Sequence, residues 1–204
     1  MTVTNPPIFL QAGSHPAEDV RRFIATITGD AEGVIGSGDL LISEKAGTPD
    51  MSVDSAIGRP VVKGTEATFQ GTYFCESRSV ENLTISASDA TNDRWDLVVA
   101  KVEDSDYSGA TDAWSLAVVT GTPAGSPADP TQPDNSILLA RVVVGNGVTS
   151  ILDAAITDLR FRFILPGTAF ASASDLPAST ATGARVWVTD KAREYTFNGT
   201  NWII

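Results

Sequence analysis

The sequence predicts a mainly β protein: an antiparallel β-sandwich, or a barrel-like variant of one, with one N-terminal α-helix and a small C-terminal β-meander. Three observations predict it. A single stretch near the start carries apolar residues at helical spacing. From Gly33 to Val144 the text consists of short apolar or alternating runs parted by turn residues. The last twenty or so positions alternate in the same way but stand apart, behind an Ala/Ser/Thr-rich stretch. Helical stretches do not alternate with the strands, which argues against a parallel α/β sheet.

The helix is expected between Ser14 and Gly29. Val20, Phe23, Ile24 and Ile27 recur at i, i+3, i+4 and i+7 and so form one stripe. Pro16 suits the first helical position, Glu18 and Asp19 complement the positive end of the dipole, and Gly29 is placed to stop the helix. Eight strands are then expected: Leu40–Ser43, Met51–Ile57, Arg59–Val62, Phe69–Glu76, Asn82–Ser86, Trp95–Val102, Trp114–Thr120 and Leu138–Val144. Residues 121–136 hold four prolines and read as an extended loop, because proline neither donates to a ladder nor continues a helix. Gly145-Asn146-Gly147 is a tight turn, and Ile151–Arg160 reads as the exit from the domain. Ala169–Gly183 reads as linker or coil. Arg185–Val188, Arg193–Phe197 and Trp202–Ile204 read as a meander too small to stand without a supporting surface. The chain therefore divides into an N-terminal arm and helix (1–32), a sandwich domain (33–165) and a linker plus small β-module (166–204).

Composition narrows the function. The 204 residues are 42% hydrophobic and 19% charged, enough for a real core and unlike a disordered chain. The formal net charge is -11, and Arg21–Arg22 is the only adjacent pair of basic residues. Nucleic-acid binding needs a basic face to neutralise phosphates, so it is not expected. No apolar run approaches the length of a bilayer span, and Met1–Pro7 has neither the basic nor the apolar region of a signal peptide, so membrane insertion and export are not expected either. Cys75 is the only cysteine, excluding an intrachain disulfide and favouring a buried thiol in a protein made in a reducing cytoplasm.

Reactive constellations are hard to assemble. His15 is the only histidine, without a Gly-x-Ser-x-Gly elbow to accompany it. One His and one Cys cannot make a structural zinc site. Asp89, Asp93 and Asp96, and the run Glu103-Asp104-Ser105-Asp106, offer oxygen ligands but no calcium loop. Gly33–Gly38 lacks the Lys-Ser/Thr of a phosphate loop and reads as a linker turn. The expectation is a non-enzyme with no catalytic residue, no metal and no cofactor. The candidate contact residues are the aromatics of the C-terminal module, Trp187, Tyr195, Phe197 and Trp202, which serve either as a glycan-stacking platform or as the core of a small unit.

Several segments carry a resemblance. Ser14–Arg21, Gly36-Ser37-Gly38-Asp39-Leu40, Met51-Ser52-Val53 and Gly58-Arg59 resemble the start of tail proteins from phages of actinobacteria. Asp93–Val102 is similar to that family's "NxRxDLVVARV", Leu116–Ala124 to "EVVTGTPA" with its following Pro-rich loop, Leu138–Val144 to "LARVxV" and Ile156–Arg160 to "ITDLR". The likeness runs in the same order over about residues 10–160. Leu176-Pro177 and Gly183–Asp190 resemble short modules that end phage fibre proteins. The resemblance implies a virion structural protein, a minor tail, baseplate or fibre component, that contacts other virion proteins and forms a homotrimer. A receptor-binding module for host cell-surface glycan and a trimeric capsid decoration protein are the alternatives. The motifs are strand and turn text, so the resemblance implies a role in the particle and no site.

Overall fold

The computed structural model describes residues 15–163, 169–178, 180 and 182–204. The chain is mainly β, with one N-terminal helix and several antiparallel sheets. Residues 1–14 of the expected N-terminal arm and 166–168 of the expected linker lie outside the described residues.

Helix α1 spans Ala17–Thr28. Pro16 is its N-cap, with ψ at 145°, one position earlier than expected, and Glu18 and Asp19 fill the first turn. Gly29 ends the helix in the left-handed conformation (φ 62°) and donates its N–H to the Ala25 carbonyl.

Ten strands build the body. They are β1 (Gly33–Val34), β2 (Ile42–Glu44), β3 (Ser52–Ser55), β4 (Pro60–Lys63), β5 (Thr72–Phe74), β6 (Glu81–Thr84), β7 (Arg94–Glu103), β8 (Ala113–Val119), β9 (Ser136–Val144) and β10 (Ile156–Asp158). The main sheet has the order β10-β9-β7-β8, and two three-stranded sheets run β2-β3-β6 and β1-β4-β5. These smaller sheets lean on the main one: β4 on β7 and β9, β6 on β8, β2 on β10. Period-two alternation aims Val98, Ala100 and Val102 of β7 and Val142 and Val144 of β9 into the core between the sheets, where they meet Leu40, Val53, Val62, Ile85 and Ile151.

Leu97 and Val99, on the other face of β7, are buried too. On that face Arg141 lies opposite Leu97 and stacks 4.5 Å above the Trp95 ring while pairing with Asp129 of the Pro-rich loop. Both long central strands are thus covered on two sides, and every residue of β7 is buried or half-buried.

The first polar position of β7 is filled by a buried ion pair. Arg94 and Asp96, 3% and 0% exposed, meet at 3.0 Å. The remaining Arg94 donors go to the carbonyls of Ala87 (2.6 Å) and Ser86, and the Gly121 N–H donates to Asp96 Oδ1 at 2.8 Å. Gly121 is needed for that approach: a Cβ there would stand 2.0 Å from the Trp95 carbonyl oxygen.

Three segments differ from expectation. Gly33–Val34 is a strand rather than a linker turn, since Val34 pairs with Pro60 and exchanges hydrogen bonds with Phe161 and Phe163. Ile151–Arg160 does not lead out of the domain: Ile151 is a core residue, and Ile156–Asp158 adds β10 to the main sheet. Within the expected linker, Ala169–Phe170 forms β11, and a short 3-10 turn at Ala173–Asp175 is closed by a capping box of Ser172 and Asp175. The meander itself appears as β12 (Arg185–Val188), β13 (Arg193–Phe197) and β14 (Trp202–Ile203), with β11 added in parallel on β12. Arg162 leans on this module, its guanidinium 4.9 Å above the Phe170 ring.

Removing the Asp96 carboxylate strands a guanidinium in the interior. Asp96→Ala is expected to cost about 3–5 kcal/mol of unfolding free energy in urea titrations. The surface change Glu81→Ala should cost about 0.5 kcal/mol or less.

Candidate functional site

A cleft of about 680 Å³ lies between α1, β5 and the ends of β7 and β8. Its origin is the way the helix is held. Arg21 and Ala25, spaced i and i+4, form the face turned toward the body, and Ala25 is the only buried residue of the helix. The guanidinium of Arg21 reaches in among polar and aromatic groups. It stands 5.0 Å from the Tyr73 ring centroid and 5.9 Å from that of Tyr107, pairs with Asp104 at 3.4 Å and donates to the Gln70 carbonyl at 2.8 Å. Tyr73 donates its hydroxyl to Asp104 at 2.7 Å and accepts from Gln70 Nε2 at 3.0 Å. Burial and the neighbouring Asp104 carboxylate raise the Tyr73 phenol, keeping it a donor. Beneath the helix, Gly71 adopts φ 81°, and a Cβ there would come within 2.7 Å of the Arg21 main chain.

A polar strut therefore fixes the helix, and the apolar stripe of Val20, Phe23, Ile24 and Ile27 is not its buried face. Val20 and Ile27 keep 41% and 52% of their surface. Val20 and Ile24 instead form one wall of the cleft, with Phe74, Val102 and Trp114 opposite. Cys75 lies at the same place. Burial pushes its thiol up from the usual 9.0 to about 11, so it is a protonated, inert group at neutral pH. Acids form the rim. Asp112 accepts from the Ser105 N–H and hydroxyl and is held below the usual carboxylate range by those bonds. Glu103 is lowered by hydrogen bonds from Lys101 and Thr111.

The acids singled out in the sequence have local duties. Asp89 accepts from the Thr91 and Asn92 N–H groups, Asp93 from that of Asn146, and Asp96 belongs to the buried pair. Among the described residues, no group of three or more His, Cys, Asp or Glu is arranged to hold a metal, and no helix is long and apolar enough to cross a membrane. His15, just before the helix, buries both ring nitrogens with no hydrogen-bond partner among the described residues.

The four C-terminal aromatics do not share a face. Opposite residues in an antiparallel pair point the same way, so the pairs Val186–Tyr195 and Phe197–Trp202 belong to the inner side. There Phe197 is buried, its ring 5.3 Å from that of Trp202, and Trp202 donates its indole N–H to the Pro177 carbonyl at 2.9 Å. Tyr195 and Trp202 pack on Phe170, Val186 and Val188. Trp187 alone points outward, half exposed, opposite Glu194 and on the face of Arg185 and Ile203.

The cleft went unread in the sequence because Arg21, Gln70, Tyr73 and Asp104 come from separate segments. The one available signal was the Arg21–Arg22 pair interrupting an amphipathic helix. Arg21→Ala is expected to free the helix without unfolding the body. Amide exchange over Ala17–Thr28 should quicken, β7 and β9 should stay protected, and alkylation of Cys75 by iodoacetamide should speed up. Compared with protein-family models, curated proteins and solved structures, the chain gives no match.

Proposed function

We propose that this chain is a structural protein of a bacteriophage particle, a tail-tip, baseplate or fibre-attachment component that assembles as a homotrimer. One observation carries the reading: the segments that resemble phage tail proteins clasp one another in space. Asp39 of Gly36–Leu40 accepts from the N–H of Arg59, and its carbonyl accepts from Arg160 at 2.7 Å. Three of the resembling segments thus meet at one residue. Asp96 of the Asp93–Val102 strand takes the N–H of Gly121 from the Leu116–Ala124 segment, and Arg141 of Leu138–Val144 covers Trp95. The likeness falls on contacts that hold this body together, which supports the reading of a scaffold.

The chemistry fits a scaffold. Asp89 and Asp93 accept from turn N–H groups and Asp96 pairs with Arg94, and apolar side chains stay open on α1, on β5 at Phe74 and on the C-terminal sheet at Trp187 and Ile203. Contacts to other virion proteins would bury such groups. Light scattering on the purified protein should give three times the chain mass, and peptides of the chain should appear in digests of purified particles. A monomer overturns the trimer, and absence from particles overturns the virion role. Immunogold labelling on the head overturns the tail position in favour of capsid decoration.

A second reading, recognition of host cell-surface glycan, is favoured by Trp187. Its half-exposed indole stands on a sheet face beside Arg185 and Glu194, whose side chains approach to 4.0 Å and offer hydrogen bonds around a stacking ring. Trp187→Ala should abolish adsorption to host cells while the circular dichroism spectrum is unchanged. Undiminished adsorption by that variant removes this reading.

A further inference from the structure

We infer that the cleft between α1 and β5–β8 is a docking groove for a basic, amphipathic segment of another polypeptide. The helix is held by its Arg21 strut, and the apolar flank formed by exposed Val20 and half-buried Ile24 faces Phe74 and Trp114 across the cleft. Phe74 keeps 54% of its surface open and Val20 keeps 41%, on opposite walls of one cavity. A volume of about 680 Å³ accepts several aliphatic side chains at once.

The rim decides the charge of the occupant. Glu103, Asp104, Asp106 and Asp112 line it against the single guanidinium of Arg21, which Asp104 already neutralises. Lys101, 3.0 Å from Glu103, offsets a further acid. Asp106 and Asp112 lie exposed at the mouth. Leucine-like knobs for the floor and Lys or Arg at the flanks are the chemistry that fits, which is the helix-in-groove mode with acidic edges. The inference does not depend on the virion assignment, since it concerns the surface of the isolated chain.

The test is fluorescence anisotropy of a labelled Leu/Lys amphipathic peptide, with a Leu/Glu peptide of the same pattern as its counterpart. The Leu/Lys peptide should bind and the Leu/Glu peptide should not. Phe74→Ser and Asp106→Lys, each with an unchanged circular dichroism spectrum, should weaken binding about tenfold. Val20→Gln, on the opposite wall, should do the same and stands in if Phe74→Ser fails to fold. Glu81→Lys, a charge reversal outside the cleft, should leave affinity within about twofold. No binding of the Leu/Lys peptide overturns the proposal. So does equal weakening by Glu81→Lys, which reduces the effect to overall acidity, or unchanged affinity in the folded cleft variants.

Discussion

Arg94 and Asp96 sit where the main strand of the body begins, and the rest of the architecture depends on their being paired. Neither charge is tolerable alone in that interior. Together they satisfy each other and still have donors and an acceptor to spare. Those spare groups reach Ser86, Ala87 and Gly121, joining the segment before β7 to the one after β8. A hydrophobic pair of the same size would fill the space but would not specify which loops close over the strand. The ion pair thus ties together the segments that flank β7 and β8, while the apolar side chains of β7 and β9 fill the core.

A similar logic recurs on a smaller scale at Asp39 and at Arg21. At Asp39, one carboxylate and one carbonyl collect the N–H of Gly36, the N–H of Arg59 and the guanidinium of Arg160. At Arg21, one cation collects two tyrosine rings, a carboxylate and a carbonyl. Charged residues are scarce in this chain, and many of the buried ones serve as connectors between segments distant in sequence.

This explains which features were legible beforehand. The eight strands between Leu40 and Val144 were visible because alternation and turn residues are local properties, and their bounds shifted by only a few positions. β10 was missed because its three residues, Ile156–Asp158, are mostly exposed and carry almost no apolar pattern. β1 was missed because glycine-rich text reads as a turn, whereas Gly33 is a strand residue closed upon by Phe161. The helix was legible but its orientation was not. Apolar periodicity locates a stripe, and only the partners of Arg21, as far away as Tyr107, reveal that the adjacent face is the one turned inward. The inner and outer faces of the C-terminal sheet were likewise settled by register, which separates Trp187 from Tyr195, Phe197 and Trp202.

Because a polar strut holds α1 in place, the positions on its open flank are released from the demands of folding. Val20 and Ile27 are exposed there, while Arg21 and Gly71 carry the contacts that hold the helix. Substitutions there would be filtered by whatever the surface meets rather than by the interior. Among descendants of this chain, that flank should drift at the pace of its surroundings while the strut residues stay constant.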